Sequence, residues 1–196
     1  MNALQTLRPA VVMVALFTLV TGLLYPLAVT GLAQIALPWQ ANGSLLRDSG
    51  GKVRGSALIG QNFAGAGYLH PRPSAAGDKG YDAANSTGSN LGPMDKKLID
   101  RVAGDAKALQ AEGPGPIPAD ALTTSGSGLD PDVSPANASR QAPRIAAARG
   151  LTLAAVQATI ARHTEAPALG FIGQRRVNVL LVNRSLDAEH PLTPAK

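Results

Sequence analysis

The longest uncharged stretch of the chain constrains the fold more than any other feature, because residues 9–46 contain no Asp, Glu, Lys or Arg. Its most apolar part, residues 10–33, would extend about 36 Å as an α-helix, whereas the hydrocarbon core of a bilayer is roughly 30 Å thick. We therefore predict a membrane-spanning helix at residues 9–37, preceded by a short tail at residues 1–8.

Pro26 lies within this predicted span and predicts a kink there. Its ring removes the amide that would bond the carbonyl of Gly22, and a freed carbonyl in lipid needs another donor. Ala15, Thr18 and Gly22 fall at i, i+3 and i+7, a small-residue stripe along which a second helix could approach closely. We expect helix packing along Ala15, Thr18, Gly22 and Pro26; the alternative is that these residues reflect only the ordinary composition of membrane helices.

A cleaved signal peptide is the alternative for the whole segment. Gly31 and Ala33 have the spacing of a cleavage site before Gln34. However, the apolar stretch exceeds the ~7–15 residues of a signal-peptide core, and Arg8 is the only basic side chain ahead of it. We therefore favour a retained anchor, and the alternative function is an exported solute-binding or hydrolytic domain released by cleavage.

The composition of residues 38–196 predicts one loop-rich domain. The chain contains 21 Gly and 15 Pro, and only 4% of its residues are aromatic. The net charge of +5 comes from interspersed residues, whereas a nucleic-acid-binding surface has clustered ones, and the absence of cysteine excludes disulfides and thiolate metal sites. The predicted fold class is α+β: a single N-terminal transmembrane helix followed by one loop-rich soluble α/β domain with a small sheet and several short helices.

The charges beside the span do not determine its orientation. Arg8 precedes the span, while Arg47, Lys52 and Arg54, offset by Asp48, follow it. A very short tail ahead of a single span more often stays in the cytoplasm. We therefore predict that the domain at residues 38–196 is extracytoplasmic.

Turn residues, caps and apolar periodicity predict the elements of this domain. The first elements are a short hairpin between turns at 42–44 and 48–51, a long turn-rich segment at 68–93 and a helix from Pro93 to Gly113. A second turn-rich segment follows at 114–135, and then a helix from Ser134 to Gly150 that Pro143 interrupts. The last elements are a helix capped by Thr152, a strand at 177–182 and a frayed tail from Asp187.

Two short segments repeat the same pattern. Residues 87–93 read TGSNLGP and residues 125–131 read SGSGLDP, with four identities in seven positions. We predict that these loops and their neighbours form a surface that binds an anion or a partner, with the polar candidates Arg72, Ser74, Ser89, Asn90, Ser127, Asp130 and Gln141. The alternative is that these side chains hold their own loops in shape through local hydrogen bonds.

Motifs for catalysis and metal binding are missing from the sequence. Neither the phosphate-binding pattern GxxxxGK[ST] nor the nucleophile pattern GxSxG occurs. Asp130, Asp132 and Ser134 resemble the start of a calcium loop, but Pro135 replaces its turn glycine and Gln141 its closing glutamate. The three histidines have no metal-ligand spacing. We predict no catalytic residue and no metal site.

Several motifs, taken together and in order, resemble the C subunit of the bacterial Kdp-type potassium-transporting ATPases. They are GSALIGQNF at 55–63, RPSA at 72–75, GSNLGP at 88–93, SGSGLDP at 125–131, the stretch 141–150, HTE at 163–165, LGF at 169–171 and RVNVL at 176–180. The resemblance covers the whole chain, including the N-terminal span.

The resemblance implies a non-catalytic subunit of a high-affinity, ATP-driven potassium import complex in the bacterial inner membrane. It implies two partners, a channel-like subunit that binds potassium and a P-type ATPase subunit that hydrolyses ATP, besides membrane lipid. It also implies that this subunit assists assembly and raises the ATP affinity of the catalytic subunit. We favour an effect through linked conformational equilibria; the alternative is direct contact with ATP, which would require a cytoplasmic domain. We expect this chain to bind no cofactor itself, with ATP and potassium bound at the level of the complex.

Overall fold

The computed structural model describes residues 3–192. The chain divides into two compact units, the first ending at Ser56 and the second beginning at Ala57. The second unit is called the head below. One N-terminal helix followed by small sheets and short helices confirms the predicted fold class.

The first unit begins with one long helical segment. It consists of α1 (Ala3–Leu19), a π-helical turn (Val20–Leu24) and α2 (Tyr25–Ala36). Gln5–Ala36 has the length and composition of a membrane span. An 18-residue window within it has a mean hydropathy of 2.2, and none of that window is buried inside the protein. The helix begins at Ala3, and the boundary between the tail and the span at residue 9 stays a prediction.

The π-helical turn lies directly ahead of Pro26. The backbone N–H of Tyr25 donates to the carbonyl of Val20, five residues back, and the hydroxyl of Thr21 donates to the carbonyl of Phe17 at 2.6 Å. This wider turn gives the proline ring room within a continuous helix, since proline clashes with the carbonyl four residues earlier in a regular one. A bend of the helix axis at Pro26 stays a prediction.

The remainder of the first unit is short. A single turn, α3 (Pro38–Ala41), precedes β1 (Leu45–Arg47) and β2 (Val53–Ser56), which pair antiparallel with an irregularity between Leu46 and Arg47. At the turn, a carboxylate oxygen of Asp48 accepts from the backbone N–H groups of Gly50 and Lys52. A hairpin therefore forms in this region, but only β1 lies between the two predicted turns, and the turn at 48–51 connects it to β2.

The head contains a three-stranded antiparallel sheet with β5 (Arg176–Asn178) in the centre, between β3 (Asp132–Val133) and β4 (Thr164–Glu165). No helix or strand lies between Ser56 and Lys96. The elements that follow are α4 (Lys96–Glu112), α5 (Ala119–Leu122), β3 (Asp132–Val133), α6 (Pro135–Arg149), α7 (Leu153–Arg162), β4 (Thr164–Glu165), β5 (Arg176–Asn178) and α8 (Val179–Glu189).

The predicted strand at 177–182 is wrong beyond Asn178. The side chain of Asn178 accepts from the backbone N–H of Leu181 and caps α8, which continues to Glu189 through the predicted frayed tail. The apolar run could form either element. It is helical here because Val179, Val182 and Leu186, at i, i+3 and i+7, all face the core.

The predicted interruption at Pro143 is also wrong, since α6 runs unbroken from Pro135 to Arg149. A proline inside a helix costs about 3 kcal/mol. Burial of Ala142, Ile145 and Ala146 on the same helix offsets this cost. The predicted ends are confirmed: Ser134 caps the first turn, and Gly150 ends the helix.

The core lies between α6, α7, α8 and the sheet. Its buried members are Leu69, Val133, Ala138, Ala142, Ile145, Ala146, Val156, Ile160, Val177, Val179, Val182 and Leu186. Leu69 is the only one of them outside the regular elements, so its segment must be held in the core by something other than a sheet or a helix.

Polar side chains of α6 and α8 hold that segment. Asn183 binds both the N–H and the carbonyl of Leu69, at 2.7 and 2.9 Å, and Gln141 binds those of His70, at 2.8 and 3.0 Å. Arg144 donates to the carbonyls of residues 66 and 68, and Arg149 to that of residue 67. Five consecutive carbonyls, 66–70, are thus satisfied by side chains.

The side chain of Arg149 is fully buried and uses every guanidinium nitrogen. Besides residue 67, it donates to the carbonyls of Leu186 and His190 and to the carboxylate of Asp187 at 2.8 Å. Its guanidinium also lies 4.9 Å from the centre of the Tyr68 ring. Arg149 therefore joins the end of α6 to the end of α8.

We predict that Arg149→Met lowers the free energy of unfolding of the head by about 3 kcal/mol, because it leaves several buried acceptors without a donor. Arg162→Met is the matched control: its ion pair with Glu189 is half exposed, so a change below about 1 kcal/mol is expected. Chemical denaturation of the detergent-solubilised chain, followed by far-UV circular dichroism, measures both. Equal effects of the two variants would contradict the assigned role of Arg149.

Candidate functional site

The two repeated segments, residues 87–93 and 125–131, lie against each other in the head. The hydroxyl of Ser86 donates to the carbonyl of Ser127 at 3.0 Å, and a Cβ built on Gly88 would lie 3.0 Å from the carbonyl oxygen of Gly126. The closest approach is at Gly128. Its backbone has φ +68°, and a Cβ there would lie 2.6 Å from the carbonyl oxygen of Thr87 and 2.8 Å from the backbone nitrogen of Ala76.

Ser74 connects these loops to the segment before them. Its hydroxyl donates to the carbonyl of Gly128 at 2.6 Å and accepts from the backbone N–H groups of Ala76 and Tyr81. The hydroxyl of Tyr81 donates to the carbonyl of Arg72. Burial raises the pKa of Tyr81 to about 12, so this hydroxyl stays protonated and remains a donor.

Arg72 and Asp130 form an ion pair of 2.8 Å at the edge of an open groove of about 530 Å³. The guanidinium of Arg72 also lies near the hydroxyl and carbonyl of Thr123, at 3.4 Å. We call this feature the charged groove; it is lined by Arg72, Pro118, Ala119, Asp120, Asp130, Asp132, Val133, Ser134, Gln174, Arg175 and Arg176.

Most charges in the charged groove are already paired. Arg176 binds the carboxylates of Asp132 at 3.1 Å and Glu165 at 2.6 Å. Asp120 accepts from the backbone N–H and the hydroxyl of Ser134. Burial raises the pKa of Asp132, and the guanidinium of Arg176 opposes that rise. The carboxylates therefore act as structural acceptors.

Arg175 differs from the other cations of the charged groove, because its side chain is exposed and makes no ion pair within residues 3–192. A groove with paired charges along its walls and one available guanidinium is suited to recognising a polar surface. Within the same described residues, no group of three or more His, Cys, Asp or Glu side chains could hold a metal ion.

The structure brings only some of the predicted residues together. Arg72 and Asp130 line the charged groove, and Ser127 holds its own loop by accepting from the backbone N–H of Leu129. Gln141 is buried on α6 and binds His70, away from that lining. Ser89 and Asn90 do not line the charged groove either. Partner contact by these residues stays a prediction.

The predicted helix-packing residues lie in the first unit. Ala15, Thr18, Gly22 and Pro26 are all exposed, and nothing but Thr18 of the same helix lies within 4 Å of a Cβ built on Gly22. Space for a second helix is therefore present along this face, and the packing itself stays a prediction.

Sequence reasoning did not select four charged residues of the charged groove: Asp120, Asp132, Arg175 and Arg176. The consecutive pair Arg175 and Arg176, next to an apolar run, was a usable signal. Asp120 offered none, since its contact with Ser134 spans 14 residues of chain.

Comparison with known proteins places these features in a family context. A family model described as K+-transporting ATPase, c chain (KdpC) matches residues 7–188. The chain is 65% identical over 189 residues to a potassium-transporting ATPase KdpC subunit of Caulobacter sp. (strain K31), covering 96% of each chain. It is 54% identical over 192 residues to that of Beijerinckia indica, again covering 96% of each, and 54% identical over 187 residues to that of Myxococcus xanthus, covering 94% of this chain and 86% of the relative.

We predict that Gly128→Ala destabilises the head by about 2–3 kcal/mol, because the methyl group would overlap backbone atoms at a φ that disfavours side chains. Gly126→Ala, two residues earlier in the same motif, meets nothing within 4 Å and is expected to change stability by less than about 0.5 kcal/mol. Thermal unfolding of both variants in detergent measures the difference. Similar melting temperatures would contradict the close approach of the two loops.

We also predict that the head loses stability as the pH falls below 6.5. Burial lowers the pKa of His70, whose Nε2 donates to the carbonyl of Gly65 at 3.0 Å, and burial lowers that of His163 as well. The unfolded chain therefore binds protons at these histidines more readily than the folded chain does. The stability that the neutral histidines contribute is fully present above their unfolded pKa and is lost as the pH falls through their folded pKa.

Denaturation at pH 8 and pH 5.5 tests this dependence. His70→Gln keeps a donor for Gly65 but cannot bind a proton, so the difference in stability between the two pH values should shrink. Comparison with the unchanged chain cancels the contributions of carboxylates such as Asp132. An unchanged pH dependence in the variant would exclude His70 as a source.

Proposed function

Because this chain belongs to the KdpC family of K+-transporting ATPase c chains, we propose that it is a non-catalytic subunit of an ATP-driven potassium import complex. The observation that carries the proposal is the extent of the match, which runs from residue 7 to residue 188 and so includes both the span and the head. The proposed site of action is the bacterial inner membrane, which the chain crosses once.

The proposed partners are a channel-like subunit that binds potassium and a P-type ATPase subunit that hydrolyses ATP. A single span without a charged residue between positions 9 and 46 offers no ion path of its own, which supports the assignment of transport to those partners. The exposed stripe at Ala15, Thr18 and Gly22 is a suitable surface for packing against their helices.

The role that we assign to this subunit is to assist assembly and to raise the ATP affinity of the catalytic subunit. Because ATP is cytoplasmic, a head that lies outside the cytoplasm cannot contact it. The head therefore changes the ATP affinity through linked conformational equilibria. Such coupling is typically worth about 1–3 kcal/mol. It is reciprocal, so bound ATP would raise the affinity of the other subunits for this one by the same factor.

The experiment compares the purified complex with and without this chain. Potassium-stimulated ATP hydrolysis is measured over a range of ATP concentrations, and adding the chain should lower the half-saturating concentration by about fivefold or more. The chain alone should hydrolyse no ATP. An unchanged half-saturating concentration would remove the affinity role, whereas turnover by the isolated chain would overturn the non-catalytic assignment.

Orientation is tested separately by a reporter fused after Lys196 and by the mass of the mature chain. A reporter that is active only outside the cytoplasm, together with an intact N-terminus, is the expected result. A mature chain that begins at Gln34 would instead support the exported, released domain.

A further inference from the structure

The segment between β4 and β5 forms an arm that extends from the sheet. Ala168 and Ile172 exchange both backbone hydrogen bonds, at 3.0 and 2.9 Å, and the N–H of Gly170 donates to the carbonyl of Pro167 at 3.0 Å. Three positive φ values shape the turn: +52° at Leu169, +82° at Gly170 and +90° at Gly173. The end of the arm is therefore a tight, internally bonded turn.

This turn exposes large apolar side chains. Leu169 is 82% exposed, Phe171 77% and Ile172 54%; we call these three residues the apolar tip. Leu169 adopts a left-handed backbone conformation, which is unfavourable for a branched side chain, and yet it packs into no core. Every residue from 168 to 176 is exposed, and burial begins only at Val177.

We propose that the apolar tip inserts into an apolar pocket on another subunit of the potassium-transporting assembly, with Arg175 donating to an acceptor at the rim. This inference rests on the proposed function. The hydrogen-bonded turn keeps the entropy cost of insertion low, because little ordering remains to be done. Aromatic residues and arginine are also enriched in protein interfaces, and the arm carries both, at Phe171 and Arg175.

The charges around the arm favour a protein pocket over a lipid surface. Binding to an anionic bilayer draws on clusters of unpaired basic residues. Here Arg176 is neutralised by Asp132 and Glu165, which leaves Arg175 as the one cation of the arm without an ion pair within residues 3–192. The carboxylate of Glu165 at the base of the arm would oppose an anionic surface.

The first test places the photoreactive residue benzoylphenylalanine at position 171 of the full chain within the intact complex. Irradiation should link the chain to another subunit, identified by mass spectrometry of the adduct. The same residue at Ile99, an exposed apolar position of α4, is the control and should give no such adduct. An adduct with lipid alone, or none with any subunit, would overturn the inference.

The second test measures the retention of the chain on its tagged partners. The double variant Leu169→Asn and Phe171→Ser should bind at least about tenfold more weakly, as expected for loss of a buried anchor, while Ile99→Ser should bind normally. Asn tolerates the left-handed backbone of position 169, so the variant should keep the wild-type melting temperature. Wild-type retention by the double variant would refute the apolar tip as an anchor. Failure of the unmodified chain to bind its partners would instead refute the proposed function.

Discussion

The fold of the head depends on side-chain amides and guanidinium groups that hydrogen-bond to the backbone of residues 66–70. They take the place of the neighbouring strand that this segment lacks. The backbone of residues 66–70 passes beside the core with no regular neighbour, and unpaired carbonyls there would be costly. Gln141 and Arg149 of α6 and Asn183 of α8 supply the donors, together with Arg144. Because these residues belong to two helices, the same hydrogen bonds also fix those helices relative to each other. A domain with short strands and small side chains gains its rigidity in this way.

The same arrangement explains how the segment between Ser56 and Lys96, which has no helix or strand, can contribute to a defined surface. The segment held at Leu69 continues into Arg72 and Ser74, and these side chains bind the second repeated loop at Asp130 and Gly128. The position of the charged groove is thus set by the core through a short, hydrogen-bonded connection. Five of the residues that sequence reasoning assigned to a partner therefore also form hydrogen bonds inside the head: Arg72, Ser74, Ser127, Asp130 and Gln141.

The repeated motif was a good indicator of proximity, although it did not indicate which residues are available for binding. Its glycines allow two backbones to approach more closely than any side chain would permit, most clearly at Gly128. Arg175 and the apolar tip at Leu169, Phe171 and Ile172 are exposed and lie in the arm between β4 and β5. A hydrophobic pattern of three residues carries too little information to show whether those side chains are buried or exposed, because burial depends on neighbours distant in sequence.

Features that depend on local chemistry could be predicted from the amino-acid sequence. The uncharged length of residues 9–46 indicated a span, and the caps at Ser134 and Thr152 placed the starts of α6 and α7, since hydrogen bonds of the first turn involve only adjacent residues. The remaining features depend on contacts between residues that are distant in the chain. The switch from strand to helix after Asn178 and the continuity of α6 through Pro143 follow from burial against partners far along the chain. The ion pair of Arg72 with Asp130 joins residues 58 positions apart, and no local pattern specifies such a contact.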